Sequence, residues 1–295
     1  MKRKCLLNLF FLLLNLFCFS QKHYEYVGAV VLNDTITISY KLQLTEDNGL
    51  VKGYSLTDIG GEHETKSSVY GEYNKEKKEL DFRETAIVYT KSPVSQNDFC
   101  FIHTRFKNFT FEKTKSLKSS FIGLFSDNEK CVDGELFLNA MDKVQARMDK
   151  VVNKINRSKK ISDSIKNKIG SLKLLDSLKM NILRKDQVLS VFSSARSVNL
   201  IIYDGGKEDG DRITVFSNGK PILKNYEAKS ITKVVSVDLE AGKTTLVIKA
   251  NNEGDIAPNT VVVKIDDGKN IIKALSNLKQ GEVTQIDILK QSIVD

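Results

Sequence analysis

The chain has 295 residues, 41% hydrophobic and 28% charged, with three Pro and no Trp, which leaves room for two folded domains. Its formal net charge is +8, yet residues 141–189 alone hold thirteen Lys or Arg against five Asp, and Lys2, Arg3 and Lys4 add three more positive charges. The remainder is slightly acidic. A basic surface spread over the whole protein is therefore excluded, and any polyanion contact is confined to one segment.

At the N-terminus, Lys2, Arg3 and Lys4 precede an apolar run from Leu6 to Phe19, and Ser20 supplies a small residue before Gln21. This order of charge, short apolar run and small residue predicts a cleaved export signal over residues 1–20. The run falls short of the roughly 20 residues a spanning helix needs. An uncleaved anchor and a lipoprotein beginning at Cys18 are the alternatives; the bulky Phe17 stands against the second. No later segment reads as membrane-spanning, so the protein is expected in the periplasm, on the outer surface or secreted.

Residues 21–139 alternate with period two, as in Ile36, Ile38, Tyr40, Leu42 and Leu44. Further strands are expected at 51–56, 67–73, 80–89, 99–111, 121–125 and 135–138, broken at turns such as Asp47-Asn48-Gly49 and Gly60-Gly61. A meander of seven or eight strands must hide its edges, which favours a small antiparallel barrel over a two-sheet sandwich. Cleavage of the signal leaves two cysteines, Cys100 and Cys131. In an oxidising compartment they are expected to form a disulfide, the alternative being two buried thiols.

Residues 140–190 change period. Met141, Val144, Met148, Val151 and Ile155 follow a heptad seam, and Ile161, Ile165, Ile169, Leu172, Leu175, Leu178 and Ile182 continue an apolar stripe in shifted phase. A long basic helix is predicted, with a kink, break or helical hairpin at Gly170-Ser171. The seam at 141–155 is a candidate for pairing with another chain. Few aromatic residues interleave with the lysines, and export removes DNA as a partner, so no nucleic-acid role is expected.

Strands return over 191–295: Val198, Leu200 and Ile202 alternate, as do Val235, Val237 and Leu239, then Leu246, Ile248 and Ala250, then Val261, Val263 and Ile265. Asn218-Gly219 between apolar runs signals a tight hairpin. About eight short strands predict an antiparallel sandwich, Ig-like or jelly-roll. The whole therefore reads as mainly β with a helical connector.

After the first of these strands comes Asp204-Gly205-Gly206-Lys207-Glu208-Asp209-Gly210-Asp211. Asp204, Glu208, Asp209 and Asp211 are candidate calcium ligands, since carboxylates on a glycine-rich loop can gather hard oxygen donors. The register is not that of an EF-hand, and an acidic turn whose Asp side chains cap amides is the alternative. Asp266-Asp267 is a weaker cluster, read as a turn. Cys100 and His103 lie three apart on one strand and so face opposite ways, which removes a Cys-His nucleophile. Glu62-His63-Glu64 reads as a solvated loop tip. No catalytic set can be assembled.

Tyr203-Asp204, Asp209-Gly210-Asp211 with Ile213, Asn218-Gly219, Ala250 with Asn252-Glu253-Gly254, Pro258-Asn259-Thr260 and Asp266-Asp267-Gly268 form a series. The series resembles an uncharacterised C-terminal module of exported proteins from flavobacteria-like bacteria, over about residues 199–289. The resemblance implies a secreted β-sandwich and carries no activity. Asp34-Thr35-Ile36, Asp163-Ser164-Ile165 and Asp176-Ser177-Leu178 also resemble the short O-glycosylation signal of such bacteria.

Three functions compete. The first is a non-enzymatic binding or structural protein of the envelope or surface, with a partner yet to be identified. The second is a calcium-supported protein binding carbohydrate or a small ligand, although the C-terminal part offers few aromatics beyond Tyr203, Phe216 and Tyr226. A hydrolase is third, and lacks its catalytic set.

Overall fold

Eight strands fold first: β1 (His23–Leu32), β2 (Ile36–Asp47), β3 (Leu50–Thr57), β4 (Thr65–Asn74), β5 (Glu79–Thr90), β6 (Phe101–Phe106), β7 (Ser116–Leu124) and β8 (Lys130–Ala140). The structure is a computed structural model that describes residues 22–33, 35–93, 99–158, 160–162 and 181–291. The predicted export signal, Asp34 and residues 163–180 of the predicted connector lie outside the described residues, and with them part or all of each O-glycosylation-like triplet.

The eight strands are antiparallel neighbours in the order β5-β4-β3-β2-β1-β8-β7-β6, and β6 returns to β5 to close a barrel. Alternation puts Tyr26, Tyr40, Leu42, Val51, Val69, Leu80, Phe82 and Leu138 inside, where they form one buried cluster. Closure of so narrow a barrel needs strands that bend tightly. A Cβ on Gly28 would stand 1.9 Å from the Phe137 carbonyl oxygen, so only glycine lets β1 approach β8 there.

The strand expected over 99–111 stops at Phe106. Asn108 takes a positive φ of 56°, which breaks the ladder. Phe109 and Phe111 then fold back into the barrel end, with ring centroids 4.8 Å apart, and Phe111 meets Tyr24 at 4.4 Å. The interior is filled by side chains.

Strand β5 has two partners on one edge. Leu80–Arg83 pair with β6 and close the barrel, whereas Tyr89 and Thr90 pair with β10 (Val188–Ser193). Bulges in the β4–β5 ladder at Lys66/Ser67 and Ser68/Val69 bend the sheet near this divergence. Glu84 sits between the two pairing segments, buried. It accepts hydrogen bonds from the Tyr40 hydroxyl (2.9 Å), the Ser55 hydroxyl (2.5 Å) and the Ile102 amide (2.9 Å). Burial raises its carboxyl above the usual range.

Helix α1 (Met141–Arg157) continues directly from β8 and bears the predicted seam. None of its residues is buried, and Val151 is 56% exposed. The seam has no partner helix among the described residues, so a coiled coil is not shown. No described helix is long and apolar enough to cross a membrane.

The predicted helix to residue 190 is corrected at its end: Asn181–Leu183 is strand β9, and residues 188–193 are β10. Leu189 and Val191 are buried while Val188 is exposed, a period of two that the neighbouring apolar stripe obscured. The remaining strands are β11 (Ser197–Asp204), β12 (Arg212–Ser217), β13 (Lys220–Glu227), β14 (Lys233–Asp238), β15 (Lys243–Ala250), β16 (Val261–Asp266), β17 (Ile271–Ser276) and β18 (Val283–Lys290). They make two sheet faces, β13-β12-β15-β18-β10 and β14-β11-β16-β17-β9, around a shared core. The C-terminal sheets are not wholly antiparallel as expected: β10 runs parallel to β18, and β9 parallel to β17. Asn218 and Gly219, at φ of 48° and 79°, form the predicted hairpin turn between β12 and β13. Val88 and Tyr89 of β5 belong to the C-terminal core, so barrel and C-terminal sheets are one continuous structure.

Candidate metal centre

Strand β11 delivers Asp204 at its end, and the 205–211 loop returns the chain to β12. Gly210, at φ of 88°, makes the turn between Asp209 and Asp211. A second loop, 251–260, lies against the first. The Asn252 side chain accepts from the Arg212 amide (2.6 Å) and donates to the Gly210 carbonyl (2.8 Å). Buried Asn259 donates to the Asn252 carbonyl at 3.1 Å. Two loops far apart in sequence are thus fastened into one unit.

Inside it, one carboxylate oxygen from each of Asp204, Asp209 and Asp211 lies within 4.8 Å of the other two. Asp204 is 6% exposed and Asp211 fully buried. Each aspartate spends one oxygen on the loops: Asp204 accepts from the Gly206 amide (2.8 Å), Asp209 from the Ile256 amide (3.0 Å) and Asp211 from the Thr260 amide (2.7 Å). The second oxygen of each is buried with no hydrogen-bond partner. Burial pushes the Asp211 carboxyl up to about 6; the Thr260 amide opposes this, and the charges of Asp209 and Asp204 add to it.

Three orphaned carboxylate oxygens of like charge are costly unless a cation joins them. The donors are oxygen only, which suits a hard cation. A buried triad here can therefore hold a metal ion. Among the described residues it is the one group of three or more His, Cys, Asp or Glu side chains so placed.

Glu208, predicted as a fourth ligand, is corrected. It turns outward and accepts from the amide and hydroxyl of Ser230, which hold its carboxyl below the usual range. Asp266 and Asp267 form the expected turn: they cap the amides of Gly268, Lys269 and Asn270. Asp267 also accepts from the Ser193 hydroxyl at 2.8 Å.

Cys100 and Cys131 are joined in a disulfide, which removes Cys100 as a nucleophile and fits an oxidising, extracytoplasmic location. The expected solvated tip at Glu62-His63-Glu64 is corrected at Glu64. That residue is buried, accepting from the Tyr89 hydroxyl (2.9 Å) and the Gly60 amide (2.6 Å).

Comparison with known proteins returned no match: no family model fits the chain, and neither a curated protein nor a solved structure resembles it significantly.

Proposed function

We propose that the chain is an exported, non-enzymatic binding or structural protein of the cell envelope or surface, whose C-terminal sheets are locked by a calcium ion. The observation that carries the calcium assignment is the set of orphaned oxygens on Asp204, Asp209 and Asp211. Ligands on opposite sides of a calcium ion stand about 5 Å apart, a span that accommodates the observed spread; water and backbone carbonyls would complete the six to eight donors it takes. The ion would tie the end of β11 to the 251–260 loop. Its role in that position is to stiffen a surface loop pair. The disulfide supports the exported setting, and the resemblance of residues 199–289 to a module of exported proteins agrees with it.

Differential scanning calorimetry of the mature protein in EDTA and in calcium tests the assignment, with magnesium as control. Calcium is expected to raise the unfolding temperature, with magnesium acting weakly because it requires shorter, octahedral contacts. Identical transitions in EDTA and calcium refute it.

A further inference from the structure

On the outside of the barrel, five adjacent strands β1–β5 line a groove of about 610 Å³, within the size range of small-molecule sites. Strand alternation sends Lys52 and Tyr54 of β3, Lys66, Ser68 and Tyr70 of β4 and Thr85 of β5 to this face. The Tyr54 hydroxyl donates to Asn270 at 3.0 Å, so the C-terminal sheets hold one wall in place.

Lys66 is the unusual member. Its ammonium lies 3.9 Å from the centroid of the Tyr54 ring and forms no ion pair among the described residues. Beneath it Lys41, 3% exposed, is paired with Glu25 at 3.5 Å, and Glu25 also accepts from Gln43 at 2.6 Å. The one nearby carboxylate is therefore already engaged. Burial, and then the Lys41 charge, lower Lys66 to about 8. A desolvated ammonium without a counter-ion is disfavoured, and in a concave groove it marks a place for one.

We propose that this groove binds a small ligand bearing a carboxylate or sulfate, with Lys66 receiving the oxyanion. Tyr70, 39% exposed, and the hydroxyls of Ser68 and Thr85 border the space left for a hydroxylated carbon body. A sugar acid has this chemistry. The site is remote in sequence from the metal centre and does not depend on the ion. His23, Glu25, Lys52, Tyr54 and Tyr70 are the other titratable groups that line it, and the Lys41 charge acts on Lys66 from beside it.

Isothermal titration calorimetry with glucuronate, glucose and inorganic sulfate tests the proposal. Glucuronate is expected to bind and glucose, its neutral counterpart, about tenfold or more weakly. Sulfate binding as tightly as glucuronate would show that an inorganic oxyanion is the ligand and overturn the role of the carbon body. Lys66→Met is expected to fold and to lose glucuronate by about tenfold or more, while Lys66→Arg keeps it. Affinity should fall as pH rises through about 8, where Lys66 loses its proton. No heat with glucuronate or sulfate at millimolar concentration, or unchanged affinity in a folded Lys66→Met, overturns it.

Discussion

Replacing Asp211 by Asn separates a metal ligand from a structural acid, because the two roles predict opposite signs. The amide oxygen of Asn can still accept from the Thr260 amide, so the loop contact at 2.7 Å survives. What is lost is one negative charge beside two others within 4.8 Å. At that spacing each pair repels by roughly 3–4 kcal/mol with an effective dielectric constant near 20. The Thr260 amide offsets part of this, and the net penalty appears in the rise of the Asp211 carboxyl from 3.8 to about 6, about 3 kcal/mol for full ionisation. In EDTA near neutral pH, Asp211→Asn should therefore unfold at a higher temperature than the wild type. At roughly 2–4 °C per kcal/mol for a structure of this size, the gain is about 6–12 °C. In calcium the order should reverse, since the wild type gains about 4.1 kcal/mol at a thousandfold excess over Kd and the variant little. Paired scanning calorimetry with and without EDTA reads the crossover. A variant less stable than the wild type in both buffers would show that the carboxylates are satisfied by the fold alone, and the reasoning would fall.

The Cys100–Cys131 bridge closes a separation of 31 residues, so the double change to Ser should cost about 3–4 kcal/mol in urea unfolding; a cost near zero would show that barrel closure alone constrains that loop. Lys66 is held near 8 rather than 10.5 in the fold, so the unfolded chain binds its proton more tightly. Stability should rise between pH 8 and 10.5 by up to about 3 kcal/mol, and Lys66→Met should lose that rise. Comparing the two proteins at each pH cancels the opposite contribution of Tyr40 and Tyr89, whose burial raises their hydroxyls. The exposed α1 seam should pair chains, giving a sedimentation coefficient that climbs with concentration; Val151→Lys should abolish the climb without loss of the fold. A wild-type chain that sediments as a monomer at every concentration refutes that pairing.

Much of this protein is written locally. Period two in Tyr40, Leu42 and Leu44 specifies a half-buried strand, because alternate side chains must leave one face. The 3-4-3-4 spacing from Met141 to Ile155 specifies a helix for the same kind of reason, and Asn218-Gly219 supplies the two positive φ values that its hairpin requires. With only Cys100 and Cys131 beyond residue 20, the sequence offered a single candidate pairing. Other features depend on partners distant in the chain. Leu189 and Val191 form a strand because β18, about a hundred residues later, offers a parallel edge, which no local window contains. Barrel closure rests on Leu80–Arg83 of β5 pairing with His103–Phe106 of β6, a contact between strands that are not predicted from each other's local sequence. Four acidic residues marked the 204–211 loop, but the folded loop brings three of them together and leaves Glu208 on Ser230. Lys66 had no sequence signal, since an outward lysine on a strand looks solvated until the C-terminal sheets hold Tyr54 beside it. Composition and periodicity determined the elements and the acidic candidates. Which side chains converge, and which charges lose their water, was decided by long-range packing, because burial and pairing belong to the assembled sheets.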